Sequence, residues 1–345
     1  LETTGSPALS QDGDILAGGI GQFYSVRSTG DLKWTRTYNN RSYQSSPVVS
    51  YEGTIYVSST DGVLNAISSE GSHLWSFSAN QAIKGSPALN SYNEIFIGAT
   101  NKLYSITPNG FEIWSADISG EVLGSPAIDA NDNVVIATTS GYLASFTRSG
   151  SLNWEVNLFE NFESSPVLTT ENNILIVASS GLVYHIDNSG TTLWQYSLSG
   201  SSESSPIITP TESIIIGASN GLHHISKEGD LLWHNQAVGE IKGSAAMSET
   251  GTIYVGSYSN NTMYELTNDG SIIWSVEVDS PLSGSPLIAD DGSVYILGNK
   301  LYAFYGYSGS LATAPWPTFG KNNQNTKSYS DYSPNTPPIA DAGNN

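Results

Sequence analysis

Eight tryptophans, all that the chain contains, stand at Trp34, Trp75, Trp114, Trp154, Trp194, Trp233, Trp274 and Trp316, separated by 41, 39, 40, 40, 39, 41 and 42 residues. A fixed period near forty marks one supersecondary unit copied eight times, and such copies must pack on one another because none buries its apolar face alone. A second marker keeps the beat as GSPAL, SSPVV, GSPAL, GSPAI, SSPVL, SSPII, GSAAM and GSPLI. It carries Pro7, Pro47, Pro87, Pro126, Pro166, Pro206 and Pro286, with Ala245 in the seventh copy. Between the markers come a turn, an apolar β-rich run such as TIYVSS or NVVIAT, another turn, a short run such as KLYSI, and a glycine turn before the tryptophan. Each copy therefore holds four short strands and no helix-length apolar period. Eight such copies predict an all-β, eight-bladed β-propeller with four antiparallel strands per blade, because radial repetition leaves only short, protected sheet edges.

The chemistry of both markers agrees with that arrangement. The Gly-Ser-Pro strand is expected innermost, where eight copies converge on an axis and only small side chains fit. Proline is tolerated there because the strand is a sheet edge whose missing N–H faces the channel. The tryptophan is expected on the outer strand, four residues after a turn glycine in the first seven copies, as in Gly71/Trp75 and Gly110/Trp114. Its flat indole can then lie on the bare glycine backbone of the next blade. In the eighth copy the interval stretches from Gly309 to Trp316, which predicts an irregular last outer strand. Every blade is then one continuous stretch, with no strand shared across the seam and no hydrogen-bonded clasp. Blades eight and one should form the weakest joint, and the run Pro315, Trp316, Pro317, Phe319 is expected to fold back on the ring.

On these residues the chain resembles the pyrroloquinoline-quinone-like propeller repeats of quinoprotein dehydrogenases and of the lipoprotein scaffold of outer-membrane protein assembly. The resemblance runs from residue 5 to about 320, and it implies a fold used by enzymes and scaffolds alike. No tryptophan here precedes an aspartate, as WD-type repeats would require. In the quinone enzymes the resemblance implies adjacent cysteines, a stacking tryptophan and a calcium held by acidic and amide side chains. This chain has no cysteine and its tryptophans are assigned to docking, so no cofactor is expected. After Trp316 the sequence turns polar and proline-bearing. Residues 1–327 are read as the propeller with its closing tail. Residues 328–345 are read as a linker whose end, SPNTPPIADAGNN, is similar to the opening of a PKD-like module.

Charge excludes one class of partner. Lys plus Arg is 12 against 32 Asp plus Glu, a formal net charge of −20, which repels polyphosphate, so nucleic acid is not expected. No apolar run is long enough for a membrane-spanning helix, so direct membrane insertion is not expected. The PKD-like resemblance implies that the chain is part of a larger secreted or cell-surface protein, and the module is expected to be monomeric.

Candidate chemistry is sparse. Acidic turns such as DANDN at 129–133 fit no complete calcium loop and occupy first hairpins, where Asp, Asn and Gly are turn formers; no metal is expected. His185 and His224 hold equivalent positions in neighbouring repeats with His223 beside them, a candidate pair for a polysaccharide lyase, a class that also needs tyrosine and arginine. A ring of residues before the inner strands is the sharper signal. Gln44, Lys84, Leu123, Glu163, Glu203, Lys242 and Ser283 immediately precede the inner-strand markers, and Glu121 and Glu240 lie two residues before Leu123 and Lys242. Alternation sets them on one face, against Tyr43, Ile83, Val122, Phe162, Ile241 and Leu282 on the other. In a propeller these connections meet at one mouth of the axial channel, so Lys84, Glu121, Glu163, Glu203, Glu240 and Lys242 are the candidate binding residues. The expected function is a non-catalytic binding or display module, its ligand a glycan or another surface protein. A carbohydrate-active enzyme and a protein scaffold are the alternatives.

Overall fold

The computed structural model describes residues 5–42, 45–306 and 308–328, and it is an all-β, eight-bladed propeller. Gln44, Tyr43 and the PKD-like segment lie outside the described residues. In blade two, strands Val48–Val49, Ile55–Ser59, Val63–Ile67 and His73–Ser78 pair in sequence order, all antiparallel, and blades one to seven follow the same plan. In blade eight the described residues supply three strands, Leu287–Ile288, Val294–Leu297 and Leu301–Phe304. The innermost strands are two residues long because the chain on either side of them is committed to the axis.

The core is the set of interfaces between blades. One cluster joins Val48, Tyr56 and Leu64 of blade two to Leu89, Ile95 and Ile97 of blade three, all buried, with Trp75 packed against it. The alternating apolar second strands supply these residues, and their continuous burial reflects a sheet covered on both faces. Trp34 lies on Gly71, where a Cβ would come within 2.6 Å of the ring, and the same holds for Trp114 on Gly150 at 2.6 Å. Trp75, Trp154, Trp194 and Trp233 sit likewise on Gly110, Gly190, Gly229 and Gly270. In each case the indole N–H donates to the carbonyl two residues before that glycine, from Ser69 to Asn268, at 2.7–2.9 Å. The staples are half-buried, so each contributes less than the ~3–5 kcal/mol of a fully enclosed Trp.

Two expectations fail at the seam. Trp316 is not an outer-strand tryptophan: it is buried at the inner strand of blade six, where Ile208 N–H donates to its carbonyl at 2.8 Å. Gly309 faces Glu249 rather than a docked indole. The proline on either side of Trp316 removes the N–H groups an outer strand needs, so this segment follows a different path. Nor does closure lack a hydrogen-bonded clasp. The backbone N–H of Ser6 donates to Ser46 Oγ, Ser46 to Ser86, Ser86 to Ser125, Ser125 to Ser165 and Ser165 to Ser205, at 2.7–3.3 Å. Ser244 donates to Ser285, and Ser285 crosses the seam to Ser6 Oγ at 3.0 Å. The remaining position, between Ser205 and Ser244, coincides with the copy that carries Ala245, and Ser244 Oγ is buried without a partner. Leu9, Ile15, Leu287 and Tyr295 form an apolar cluster across the same joint.

The tail supplies a second ring. Its carbonyls at Trp316, Pro317, Asn323, Gln324, Thr326 and Lys327 accept from the N–H of Ile208, Met247, Leu9, Val49, Leu89 and Ile128, at 2.8–3.0 Å. The tail thus visits blades six, seven, one, two, three and four in order, and Thr318 reaches Pro286 of blade eight on the way. In blades one to four the inner strand has its serine N–H satisfied by the hydroxyl of the next copy and the N–H two residues beyond proline satisfied by the tail, and the proline between has no N–H to satisfy. Deleting residues 315–328 removes six backbone bonds worth about 0.5–1.5 kcal/mol each. For a chain of this size the melting temperature should fall by roughly 10 °C or more. Amide exchange should accelerate first at Leu9, Val49, Leu89, Ile128, Ile208 and Met247. Melting and exchange that stay at their original values would show that these bonds contribute nothing to closure.

Candidate functional site

The inner strands run along the axis, with their serines toward one mouth and the tail across the other. At the serine mouth, a cavity of about 190 Å³ is lined by Lys84, Leu123, Glu163, Glu203, Lys242 and Ser283, with the inner-strand serines below them and Phe319 of the tail as floor. Backbone closeness makes this convergence possible. Gly85, Gly124 and Gly243 lie against carbonyls of the next copy, where a Cβ would collide at 2.1–2.4 Å, and Gly284 lies against the Gly5 carbonyl, where it would be tight at 3.1 Å, so the connections approach the axis more closely than a side chain would allow. Alternation along each connection holds: Ile83, Val122, Phe162, Ile241 and Leu282 are buried between blades, and the residues that follow them, polar except for Leu123, line the mouth.

The charges are organised in pairs between neighbouring blades. Lys84 donates to Glu121 at 3.1 Å and Lys242 to Glu203 at 2.9 Å, and the Lys242 ammonium also lies 4.5 Å from the centre of the Tyr258 ring. Burial pushes the Lys242 amine down, but the Glu203 bond and the nearby Glu240 and Tyr258 outweigh it and hold it above the usual lysine range. Glu163 instead accepts a hydrogen bond from Asn161 at 3.0 Å. Of the six expected mouth residues, four line the cavity. Glu121 stands behind Lys84 as its counter-ion, and Glu240 acts on Lys242 through its charge.

The three histidines do not come together. His223 and His224 are consecutive on one strand and face opposite sides of the sheet: His223 stacks on His234 at 3.8 Å, while His224 packs edge-on against Trp233 and bonds Ser213 Oγ at 2.7 Å. Burial lowers both to about 4, reinforced in His223 by His234, so each is neutral near pH 7 and a weak base. His185 pairs with Trp194 as His224 does with Trp233, in the adjacent blade. It lines a separate groove of about 500 Å³ between blades five and six that contains neither tyrosine nor arginine. Two of the chain's arginines have structural partners: Arg148 pairs with Glu94 at 2.7 Å and covers the Tyr92 ring, and Arg36 bonds the Gly71 carbonyl. The acidic turn at 129–133 is occupied with itself, since Asp129 accepts from the N–H groups of Asn131 and Asn133 at 2.8 Å. Among the described residues no cluster of three or more His, Asp or Glu could hold a metal ion.

Sequence reasoning expected Phe319 in a tail folded back on the ring but did not place it at the mouth, and it missed Lys327, because both positions depend on where the tail travels. Lys327 is buried in the channel, its ammonium 3.0 Å from the Asn325 carbonyl and 5.1 Å from the Phe319 ring centre. Burial lowers its pKa to about 7.

The fold and its closed, ion-paired mouth define an eight-bladed propeller of tryptophan-docked repeats. The family model described as outer membrane protein assembly factor BamB matches residues 2–121, 61–156, 99–250 and 220–335, and the chain belongs to that family. No curated protein matches it. Among solved structures it is similar to BamB from Moraxella catarrhalis, at 15% identity and a TM-score of 0.72, covering 89% of this chain and 97% of that one. It is also similar to Saccharomyces cerevisiae Sqt1, at 12% identity and a TM-score of 0.76, covering 88% and 96%. A third is the quinohemoprotein alcohol dehydrogenase of Comamonas testosteroni, at 11% identity and a TM-score of 0.70, covering 85% and 70%. These likenesses show the fold alone. The residues present do not fit a quinone. The mouth offers no cysteine pair, and its cavity is below the ~300–1,000 Å³ of small-molecule pockets.

The buried amine has a measurable consequence. Between about pH 7 and the ordinary lysine value of 10.5 the unfolded chain binds a proton that the folded chain does not, so stability rises with pH by up to about 1.4 kcal/mol per unit. Below about pH 7 both forms carry the proton and the burial cost is present in full. Lys327→Met should therefore raise the melting temperature most at or below pH 7, with the gain fading toward pH 10.5. A gain independent of pH would mean that Lys327 titrates as it does in the unfolded chain.

Proposed function

We propose that this propeller is a non-catalytic protein-interaction module, monomeric and part of a larger secreted or cell-surface protein, whose partner docks on the serine mouth. One observation carries the reading: charged side chains from four blades meet at a single cavity, held by ion pairs that bridge neighbouring blades. At about 190 Å³ the cavity suits one protruding side chain of a larger partner better than a whole small ligand. With Glu121 and Glu240 beside the two lysines the mouth carries more carboxylates than ammonium groups, and the net charge of −20 favours encounter with a basic surface. The name of the family associates its namesake with the outer membrane, which supports an extracytoplasmic setting.

Glycan binding is a second reading and rests on the opposite face. There a cleft of about 240 Å³ is lined by Gln11, Asn90, Asn93, Asn322 and Gln324, with the half-exposed Tyr51 at its edge. Amides and one aromatic face suit a neutral sugar. An array of acidic, neutral and basic peptides and neutral oligosaccharides, probed with the intact chain, tests both. Basic peptides should be captured, and the Glu163→Gln, Glu203→Gln double variant should lose that signal by roughly tenfold at unchanged melting temperature. Oligosaccharide capture abolished by Asn93→Ala and indifferent to the mouth variants would favour the second reading. Peptide binding insensitive to the mouth variants would overturn the first.

A further inference from the structure

The groove between blades five and six shares no residue with the serine mouth, and at about 500 Å³ it falls in the range that holds a small organic molecule. Its floor is apolar: Leu175 of blade five and Ile214 of blade six, both buried, with the Trp194 indole and the half-exposed Leu193 beside them. Its charge is one-sided. Glu171, Glu212 and Glu228 line it against one cation, Lys227, whose ammonium stands 3.9 Å from Glu212. Glu171 and Glu228 belong to no ion pair among the described residues.

His185 is an independent mark of the same groove. Both of its ring nitrogens are buried and have no hydrogen-bond partner. Its counterpart in blade six, His224, meets Trp233 edge-on at 5.1 Å as His185 meets Trp194, yet there a ring nitrogen bonds the Ser213 hydroxyl at 2.7 Å. Blade five has Asn173 where blade six has Ser213, and the Asn173 amide donates to Glu171 at 3.3 Å and not to the ring. Burial holds His185 below the usual histidine range, so at neutral pH the imidazole is uncharged and one of its nitrogens is an acceptor without a donor. We infer that this groove binds a free organic ammonium ion with an aromatic or other apolar body. The body lies on Leu175, Ile214 and Trp194. The ammonium donates to His185 once the ring turns about its Cβ–Cγ bond, and Glu171 and Glu228 offset its charge. An anion of the same shape meets the same carboxylates and is repelled.

Titration of the intact chain with 2-phenylethylammonium, followed through the Trp194 indole N–H and the His185 imidazole resonances, tests the site. Binding should be saturable, and 3-phenylpropionate and 2-phenylethanol should bind roughly tenfold more weakly or worse. His185→Ser installs the residue that blade four carries at the equivalent Ser145, so the fold is kept. It should weaken binding roughly tenfold without lowering the melting temperature. Glu171→Gln combined with Glu228→Gln should narrow the preference for the ammonium over the alcohol. Absence of saturable binding, or equal binding of the carboxylate, would overturn the site. Undiminished binding by the His185→Ser chain, or equal affinity for the N-trimethylated ion, which has no N–H to donate, would overturn the part given to His185. Nα-acetyl-lysine methylamide carries the same head on a peptide stem. If it binds as tightly as the arylamine, the occupant is a lysine of a protein partner and the free ligand is overturned.

Discussion

Eight sheet edges that face one axis set the central problem of this molecule, because every inner strand presents backbone N–H groups to a channel too narrow for another strand. The solution has three parts within each Gly-Ser-Pro marker. Serine N–H groups are passed to the hydroxyl of the next copy in seven of the eight markers, proline has nothing to satisfy, and the second residue after the proline position donates to a tail carbonyl in six of the blades. Buried backbone donors are rarely left unpaired, so the small residues of the marker and the circuit of the tail are two halves of one requirement.

The same arrangement explains why a polar site exists at one mouth and not at the other. The tail crosses the channel end next to Leu9 and its counterparts, and Phe319 closes the floor from that side. At the serine end the connections are pinned by apolar residues between blades, so each polar neighbour must turn inward. Lys84 and Glu121, and Lys242 and Glu203, then meet across blade boundaries as exposed or half-exposed pairs. Such pairs contribute little to stability, and their effect is to hold a fixed charge pattern at the rim.

The histidines show how local resemblance misleads without the third dimension. His223 and His224 are neighbours in sequence, yet strand geometry sends consecutive side chains to opposite faces. One stacks on His234 and the other lies against Trp233, while His185 of the neighbouring blade lines the groove between blades five and six. Six tryptophans behave as repeat chemistry demands, each seated on a glycine. Trp316 keeps the spacing of 42 residues and none of the environment.

What the sequence alone determined is whatever recurs: the number of blades, the antiparallel order of strands, the small-residue axis, the glycine seats and the ring of residues before each marker. Recurrence carries that information because identical local patterns in eight copies must occupy equivalent places. The mouth was legible for the same reason, as a column of seven equivalent positions. What only the tertiary structure decided is whatever occurs once. Trp316, Phe319 and Lys327 belong to a tail without a counterpart, and their positions follow from which inner-strand N–H groups were left to satisfy. The clasp from Ser285 to Ser6 joins residues 279 apart, a contact that no local pattern specifies and that only closure of the ring creates.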